Sequence, residues 1–138
     1  MSHNNERRKI TVADIMKDKY ELVDGMMSVS DAIAILQNIA AKALVVNKKD
    51  ENDEFGIISL SDISHKVLAS DKSVDRTQVY EIMTKPAFCI KSTMDIRYAA
   101  RMFEQFNISR APVMEAGCIV GMVSITDMVL KGLTKNNL

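Results

Sequence analysis

Two stretches of the chain place a small hydroxyl and a carboxylate at a fixed distance: Gly121-Met122-Val123-Ser124-Ile125-Thr126-Asp127 and, earlier, Gly56-Ile57-Ile58-Ser59-Leu60-Ser61-Asp62. Each reads as a glycine, a short apolar strand, a serine, and an aspartate three residues beyond that serine. A strand that ends in serine and turns into a helix leaves backbone N–H groups free at the helix start, where an anion is favoured. That is a place for a phosphate, with Asp62 or Asp127 near enough to accept from sugar hydroxyls. Ser-x-x-Asp is also an ordinary helix cap. The doubling in equivalent contexts is what gives it weight.

Other chemistries find no support. His3 and His65 are the only histidines, and neither has a cysteine or second histidine at ligand spacing, which argues against zinc. No Gly-x-Ser-x-Gly elbow accompanies a serine nucleophile. Neither Gly-x-x-x-x-Gly-Lys nor Gly-x-Gly-x-x-Gly occurs among the five glycines. Cys89 and Cys118 lie in apolar runs, without CxxC spacing, and are expected as reduced core thiols. No catalytic residue and no metal ligand is assigned.

The elements that must hold the two motifs also repeat. Asp14-Ile15-Met16 matches Glu81-Ile82-Met83, an offset of 67 (83 − 16), which carries Ala32 onto Ala99, Leu36 onto Phe103 and Val46 onto Val113. From Gly56 to Gly121 the offset is 65 (121 − 56), so two extra residues belong to the polar run 47–54 of the first copy. A length change confined to a loop is what a structural repeat tolerates. Each copy reads as a short opening helix, then strand, helix, strand, strand, helix. The strands are Tyr20 to Val23, Lys42 to Asn47 and Phe55 to Ser59 in the first copy. Phe88 to Ile90, Ser109 to Met114 and Cys118 to Ser124 follow in the second. Ala32, Ile35, Leu36 and Ile39 recur at helical period, and Asp62 to Leu68 closes the first copy as a helix. The expected organisation is a polar arm over 1–10, a first repeat over 11–68, a charged connector over 69–77, a second repeat over 78–132 and a tail over 133–138. The fold class is α+β. A unit of 55 to 60 residues buries little alone, so the two should share an interface.

With 18 basic and 18 acidic side chains and a pI near 6.7, bulk charge points to neither nucleic acid nor a membrane surface. The polar N-terminus, with Arg7-Arg8-Lys9, lacks a signal-peptide core, and no apolar run approaches the roughly 18 residues of a span. A cytoplasmic protein is expected.

The residues resemble a known family, the tandem cystathionine-β-synthase-type (CBS) domain pair, or Bateman module. Asp14-Ile15-Met16, Glu81-Ile82-Met83-Thr84-Lys85-Pro86, Ala111-Pro112-Val113 and the two closing Gly-x-x-Ser-x-x-Asp stretches carry the resemblance over about residues 11–132. It implies two pseudo-twofold related β-α-β-β-α repeats packed sheet to sheet. It also implies clefts for adenosyl compounds such as AMP, ADP, ATP or S-adenosylmethionine, no catalysis, and assembly as a homodimer. By position, Asp127 would accept from ribose, Ser124 would stand near phosphate or ribose with Thr126 beside it, and Arg110 would face the phosphates. Lys17 to Tyr20 and Ala41, Lys42 and Ala43 would line the base. The other cleft would use Ser59 and Asp62, with Thr84, Lys85, Pro86, Ala87, Ala111 and Pro112 near the base and Lys42 as cation. Arginine offers phosphate a planar fork that is always charged. The first repeat has Ala43 where the second has Arg110, so the Ser124 site is the better phosphate site. The expected function is regulatory, with the bound adenosyl ligand signalled to a partner protein; the alternative is a docking module that dimerises without ligand.

Overall fold

The computed structural model describes residues 9–134. In chain order these form α1 (Val12–Ile15), β1 (Leu22–Val23), α2 (Val29–Ile39), β2 (Ala43–Val46), β3 (Gly56–Ser59) and α3 (Leu60–Ile63), the last continued by a π-helical turn over Ser64–Leu68. There follow α4 (Val79–Ile82), β4 (Ile90–Lys91), α5 (Ile96–Phe106), β5 (Arg110–Glu115), β6 (Cys118–Ser124) and α6 (Ile125–Gly132). The fold is α+β, with two three-stranded sheets, ordered β1-β2-β3 and β4-β5-β6. In each, the first pair is parallel and the second antiparallel.

Two compact units emerge, and they cut across the order of the chain. A continuous unit comprises Tyr20–Ala87; a split unit joins the segment ending at Lys19 to the segment beginning at Phe88. The opening helices are therefore exchanged. Ile10, Val12 and Ile15 lie in the core of the split unit with Ile90, Phe103 and Val123, whereas Val79 and Ile82 lie in that of the continuous unit with Leu36, Leu44 and Ile58. Equivalent backbone bonds fix each exchange, Val12 N–H donating to the Met94 carbonyl and Val79 N–H to that of Met27, both at 2.8 Å. Asp14 accepts from the Thr11 N–H at 2.9 Å and Glu81 from that of Gln78 at 2.7 Å, the capping that starts such short helices.

The two long helices stand at the expected offset of 67 (96 − 29). Ser28 caps α2 by accepting from the Asp31 N–H, and Asp95 caps α5 by accepting from that of Arg97. Both helices end on a residue in the left-handed region, Ala40 at φ 52° and Asn107 at φ 53°. The buried face of each is narrower than helical period suggests: Val29, Ala32 and Leu36 are buried, while Ile39 is exposed. In the β5–β6 hairpin, Ala116 (φ 49°) and Gly117 (φ 79°) form the two-residue turn that suits strand twist.

Some expectations shift. β1 and β4 are two residues each, and the closing element of the first repeat starts at Leu60 and loosens into a π-helical turn after Ile63. Cys118 is exposed, not a core thiol, because it opens β6 beside the Ala116–Gly117 turn, where no layer covers it; Cys89 is half-buried. The polar arm ends earlier than expected, since Ile10 is buried and its carbonyl accepts from the Ile96 N–H at 2.9 Å. The rest of the arm, with His3, Arg7 and Arg8, and the tail beyond 134 lie outside the described residues. Among the described residues no helix is long and apolar enough to cross a membrane.

Candidate functional site

At one end of the split unit, β5 begins where β6 ends, and Arg110 stands opposite Ser124. Directly opposed residues of an antiparallel pair share a sheet face. Ser124 then caps α6: its Oγ accepts from the Asp127 N–H at 3.1 Å and donates to Asp127 Oδ2 at 3.0 Å. Asp127 is 5% exposed, one of few buried polar residues. Thr126 is exposed in the same helical turn. Arg110 meets no carboxylate within ion-pair distance among the described residues. Among the described residues its charge is thus uncommitted, beside a serine that already orients a carboxylate.

The continuous unit repeats the arrangement with one element missing. Ala43 opposes Ser59 where Arg110 opposes Ser124. Ser59 Oγ donates to Asp62 Oδ2 at 3.0 Å and accepts from the Asp62 N–H at 3.1 Å; the Ser59 N–H adds a bond to Oδ2 at 2.9 Å. Lys42, exposed, supplies its carbonyl to the Leu60 N–H at 2.9 Å.

A lysine on each closing helix has a role that the motif alone did not reveal. Lys131 Nζ lies 3.5 Å from Asp127 Oδ1 and donates to the Ile15 carbonyl at 3.5 Å. Lys66 Nζ lies 3.7 Å from Asp62 Oδ1 and donates to the Ile82 carbonyl at 2.9 Å. Each ammonium ties the aspartate to the C-terminal end of the opening helix in its own unit, where helical carbonyls favour a cation. The signal was present: Asp-x-x-x-Lys, an i,i+4 spacing, occurs in both copies at the same offset of 65 (131 − 66).

The glycines of the two motifs explain how the exchanged segments dock. Lys17 and Met122 form a two-bond bridge, with N–H donations of 2.8 and 2.9 Å; Thr84 and Ile57 form its counterpart, both at 2.9 Å. A Cβ on Gly121 would stand 2.5 Å from the Lys17 carbonyl oxygen, and one on Gly56 would stand 2.8 Å from Met83 Sδ. The absence of a side chain lets the segment after each opening helix lie against the last strand.

The expected site residues are thus divided between the units. Lys17, Arg110, Ala111, Pro112, Ser124, Thr126 and Asp127 belong to the split unit; Tyr20, Ala41, Lys42, Ala43, Ser59, Asp62 and Thr84 to Ala87 belong to the continuous one. Ala111 is fully buried in the split unit's core. Lys85 Nζ pairs with Asp53 Oδ1 at 2.6 Å, and the Ala87 N–H donates to the Phe55 carbonyl at 2.7 Å, which fixes the turn against the β2–β3 loop. The Asp53 carboxyl is held far below the usual carboxylate range, first by the Lys85 hydrogen bond and then by the Lys49 and Glu54 N–H groups. Among the described residues, no group of three or more histidine, cysteine, aspartate or glutamate side chains could hold a metal ion.

The CBS domain family profile matches residues 12–69 and again 79–132. The chain belongs to the CBS domain family. This CBS domain pair is 31% identical over 129 residues to the mitochondrial CBS domain-containing protein CBSX3 of Arabidopsis thaliana, covering 86% of this chain and 63% of that protein. The chain therefore spans less than two thirds of that relative's length. Among solved structures, the hexameric CBS-CP12 protein from bloom-forming cyanobacteria superposes with a TM-score of 0.87 at 31% identity, covering 90% of this chain and 72% of that one. The CBS domain pair of protein MJ0100, in complex with 5′-methylthioadenosine and S-adenosyl-L-methionine, superposes with a TM-score of 0.75 at 27% identity, covering 88% and 94%.

Proposed function

We propose that this CBS domain pair is a regulatory module that binds an adenosyl compound at the Ser124–Asp127 end of the split unit and passes the bound state to a partner protein. The observation that carries the reading is Arg110: an arginine without an acidic partner among the described residues, opposite a serine that is hydrogen-bonded to a nearly buried aspartate. Guanidinium suits the phosphate, or the carboxylate of an S-adenosyl compound, and Asp127 suits ribose hydroxyls. Ala43 leaves the Ser59–Asp62 end without that fork, so one strong site per chain is expected. MJ0100, a relative of the same architecture, was solved with two adenosyl compounds, which supports the ligand class. The module acts by linkage and not by chemistry: a ligand that binds one conformation better shifts the population towards it.

Thermal unfolding with AMP, ADP, ATP, S-adenosylmethionine and NAD, on the wild type and on Asp127→Ala, tests the proposal. A ligand at about 100 times its Kd adds about 2.7 kcal/mol, several degrees for a chain of this size. A shift with one compound that vanishes in Asp127→Ala is expected; no shift in ligand-free protein overturns the reading.

One observation favours ligand-independent self-association as a second reading. Ile125, Val129, Leu130 and Leu133 are exposed on and just beyond α6. Size-exclusion chromatography with and without ligand separates the two: a homodimer indifferent to ligand would support docking.

A further inference from the structure

The continuous unit holds a groove of about 580 Å³ at the end of its sheet away from Ser59. Leu22, Val46, Met83 and Tyr80 line it, together with Lys48 and Lys49. Val46 and Ala43 stand three residues apart on β2, so about 10 Å of strand separates this groove from the Ser59–Asp62 end. Its size falls within the range of small-molecule sites, and an apolar lining beside a few charged groups is their usual composition.

We propose that this groove is a second ligand site, for a small planar aromatic anion. The internal repeat supports this through a position-by-position comparison. At the offset of 67, Tyr80 corresponds to Ala13, Lys48 to Glu115 and Lys85 to Asp18, so the ring is absent and both charges are inverted in the other copy. There the strands are also joined by the tight Ala116–Gly117 turn instead of the 47–54 loop. The one length difference between the repeats thus lies in the loop that brings Lys48 and Lys49 to the groove; its acids Asp50, Glu51, Asp53 and Glu54 are not among the lining residues.

Hydrogen bonds within that loop and an ion pair to Lys85 brace it. Asp53 Oδ2 accepts from the Lys49 N–H at 2.8 Å while Oδ1 holds Lys85, and Asp50 accepts from the Asn52 N–H at 2.8 Å. Lys48 is steadied over the Phe55 ring, its ammonium 5.2 Å from the centroid. Lys49 has no carboxylate within ion-pair distance among the described residues. A loop whose backbone is already hydrogen-bonded loses less freedom when its lysines capture an anion. Tyr80 and Met26, both partly exposed, line the same groove, and an aromatic ring is a stacking partner for a planar ligand. Asp24, the one acid lining the groove, accepts from the Met26 N–H of its own turn at 2.8 Å; of the three lysines that line the groove Lys85 is paired with Asp53, which leaves Lys48 and Lys49 against Asp24.

The experiment is an amide-shift titration of 15N-labelled full-length protein with 1-naphthoate, with 1-naphthalenemethanol as neutral control and 1-naphthylmethylammonium as cationic control. Shifts are expected at Gly25, Met26, Asn47 to Lys49 and Tyr80, with the carboxylate about tenfold tighter than the alcohol. Lys49→Glu and Tyr80→Ala should each weaken binding by about tenfold, Lys49→Arg should retain it, and Asp127→Ala should leave it unchanged. Equal binding of the three probes, shifts centred elsewhere, or a Lys49→Glu protein that binds normally with a dispersed spectrum would each overturn the proposal. Because the Asp127→Ala protein keeps this site, failure here and failure of the adenosyl reading are separate results.

Discussion

Replacing Gly121 by alanine puts a carbon 2.5 Å from the Lys17 carbonyl oxygen, with Met16 Sδ at 2.8 Å. An ordinary contact for such a carbon is 3.4 Å or more, so the strand and the docked segment must part by nearly an ångström. The obstructing atom is backbone and cannot rotate aside. It is also one partner in the two-bond bridge of Lys17 with Met122. Overpacking of this kind costs about 1–3 kcal/mol, and each weakened hydrogen bond adds up to about 1 kcal/mol. Against this, alanine lowers the entropy of the unfolded chain, a gain of about 0.4–1 kcal/mol. The net loss is about 2–3 kcal/mol. At about 2.1 cal/mol/K per residue, a chain of 138 residues loses about 3.5 °C of Tm for each kcal/mol, hence about 7–10 °C here. Gly56→Ala is the internal control. Its new Cβ meets Met83 Sδ at 2.8 Å, an atom of a flexible side chain, while the nearest backbone oxygen, on Thr84, stays at 3.3 Å. Its loss should be about 0–1 kcal/mol, or 0–3 °C. Circular dichroism melts of the two variants decide the matter. Equal losses, or a larger one for Gly56→Ala, would show that docking of the segment at Gly121 does not set the requirement for glycine.

Ala40→Gly should stabilise the chain by about 0.5–1 kcal/mol, because a left-handed residue with a Cβ costs about 1–2 kcal/mol and glycine's extra unfolded entropy returns part of that; a Tm that falls would contradict the cap seen at φ 52°. The Asp53–Lys85 pair sets an acid dependence. The folded Asp53 pKa lies below its ordinary 3.8, so its stabilisation is fully present above that value and is lost as pH falls through the lower folded one. The melting difference between wild type and Asp53→Asn should therefore be constant from about pH 5 to 8 and shrink below about pH 4. A difference that grows in acid would reverse the sign of the argument.

Much of the scaffold was legible because its signals are local. α2 and α5 follow from caps and helical period, and the Arg110/Ala43 contrast follows from hairpin register once the offset is known. What stayed hidden is long-range. Thr11 and Gln78 mark the starts of two short helices, but caps carry no information about whose core receives Val12 or Val79. The same holds for Gly56 and Gly121: the residue type announces a close approach without naming the approaching segment. Cys118 was misplaced because an apolar run shows which residues prefer burial, not where the strand meets its turn. The lysines at Asp62 and Asp127 plus four were visible as spacing, yet their second contact, to a carbonyl of an exchanged helix, depends on the exchange itself.

That exchange bears on what a cut would do. Suppose a protease nicked the exposed stretch around Asp71–Lys72, between the two copies of the repeat. The N-terminal fragment would carry Val12 and Ile15, which complete the core of the split unit; the C-terminal fragment would carry Val79 and Ile82, which complete the other. Each piece would plug a hole in its counterpart, twice over, so the nicked protein should migrate as one species on gel filtration and as two bands after denaturation. The two halves are then a natural pair for fragment complementation: neither has a whole core alone, and together they rebuild both.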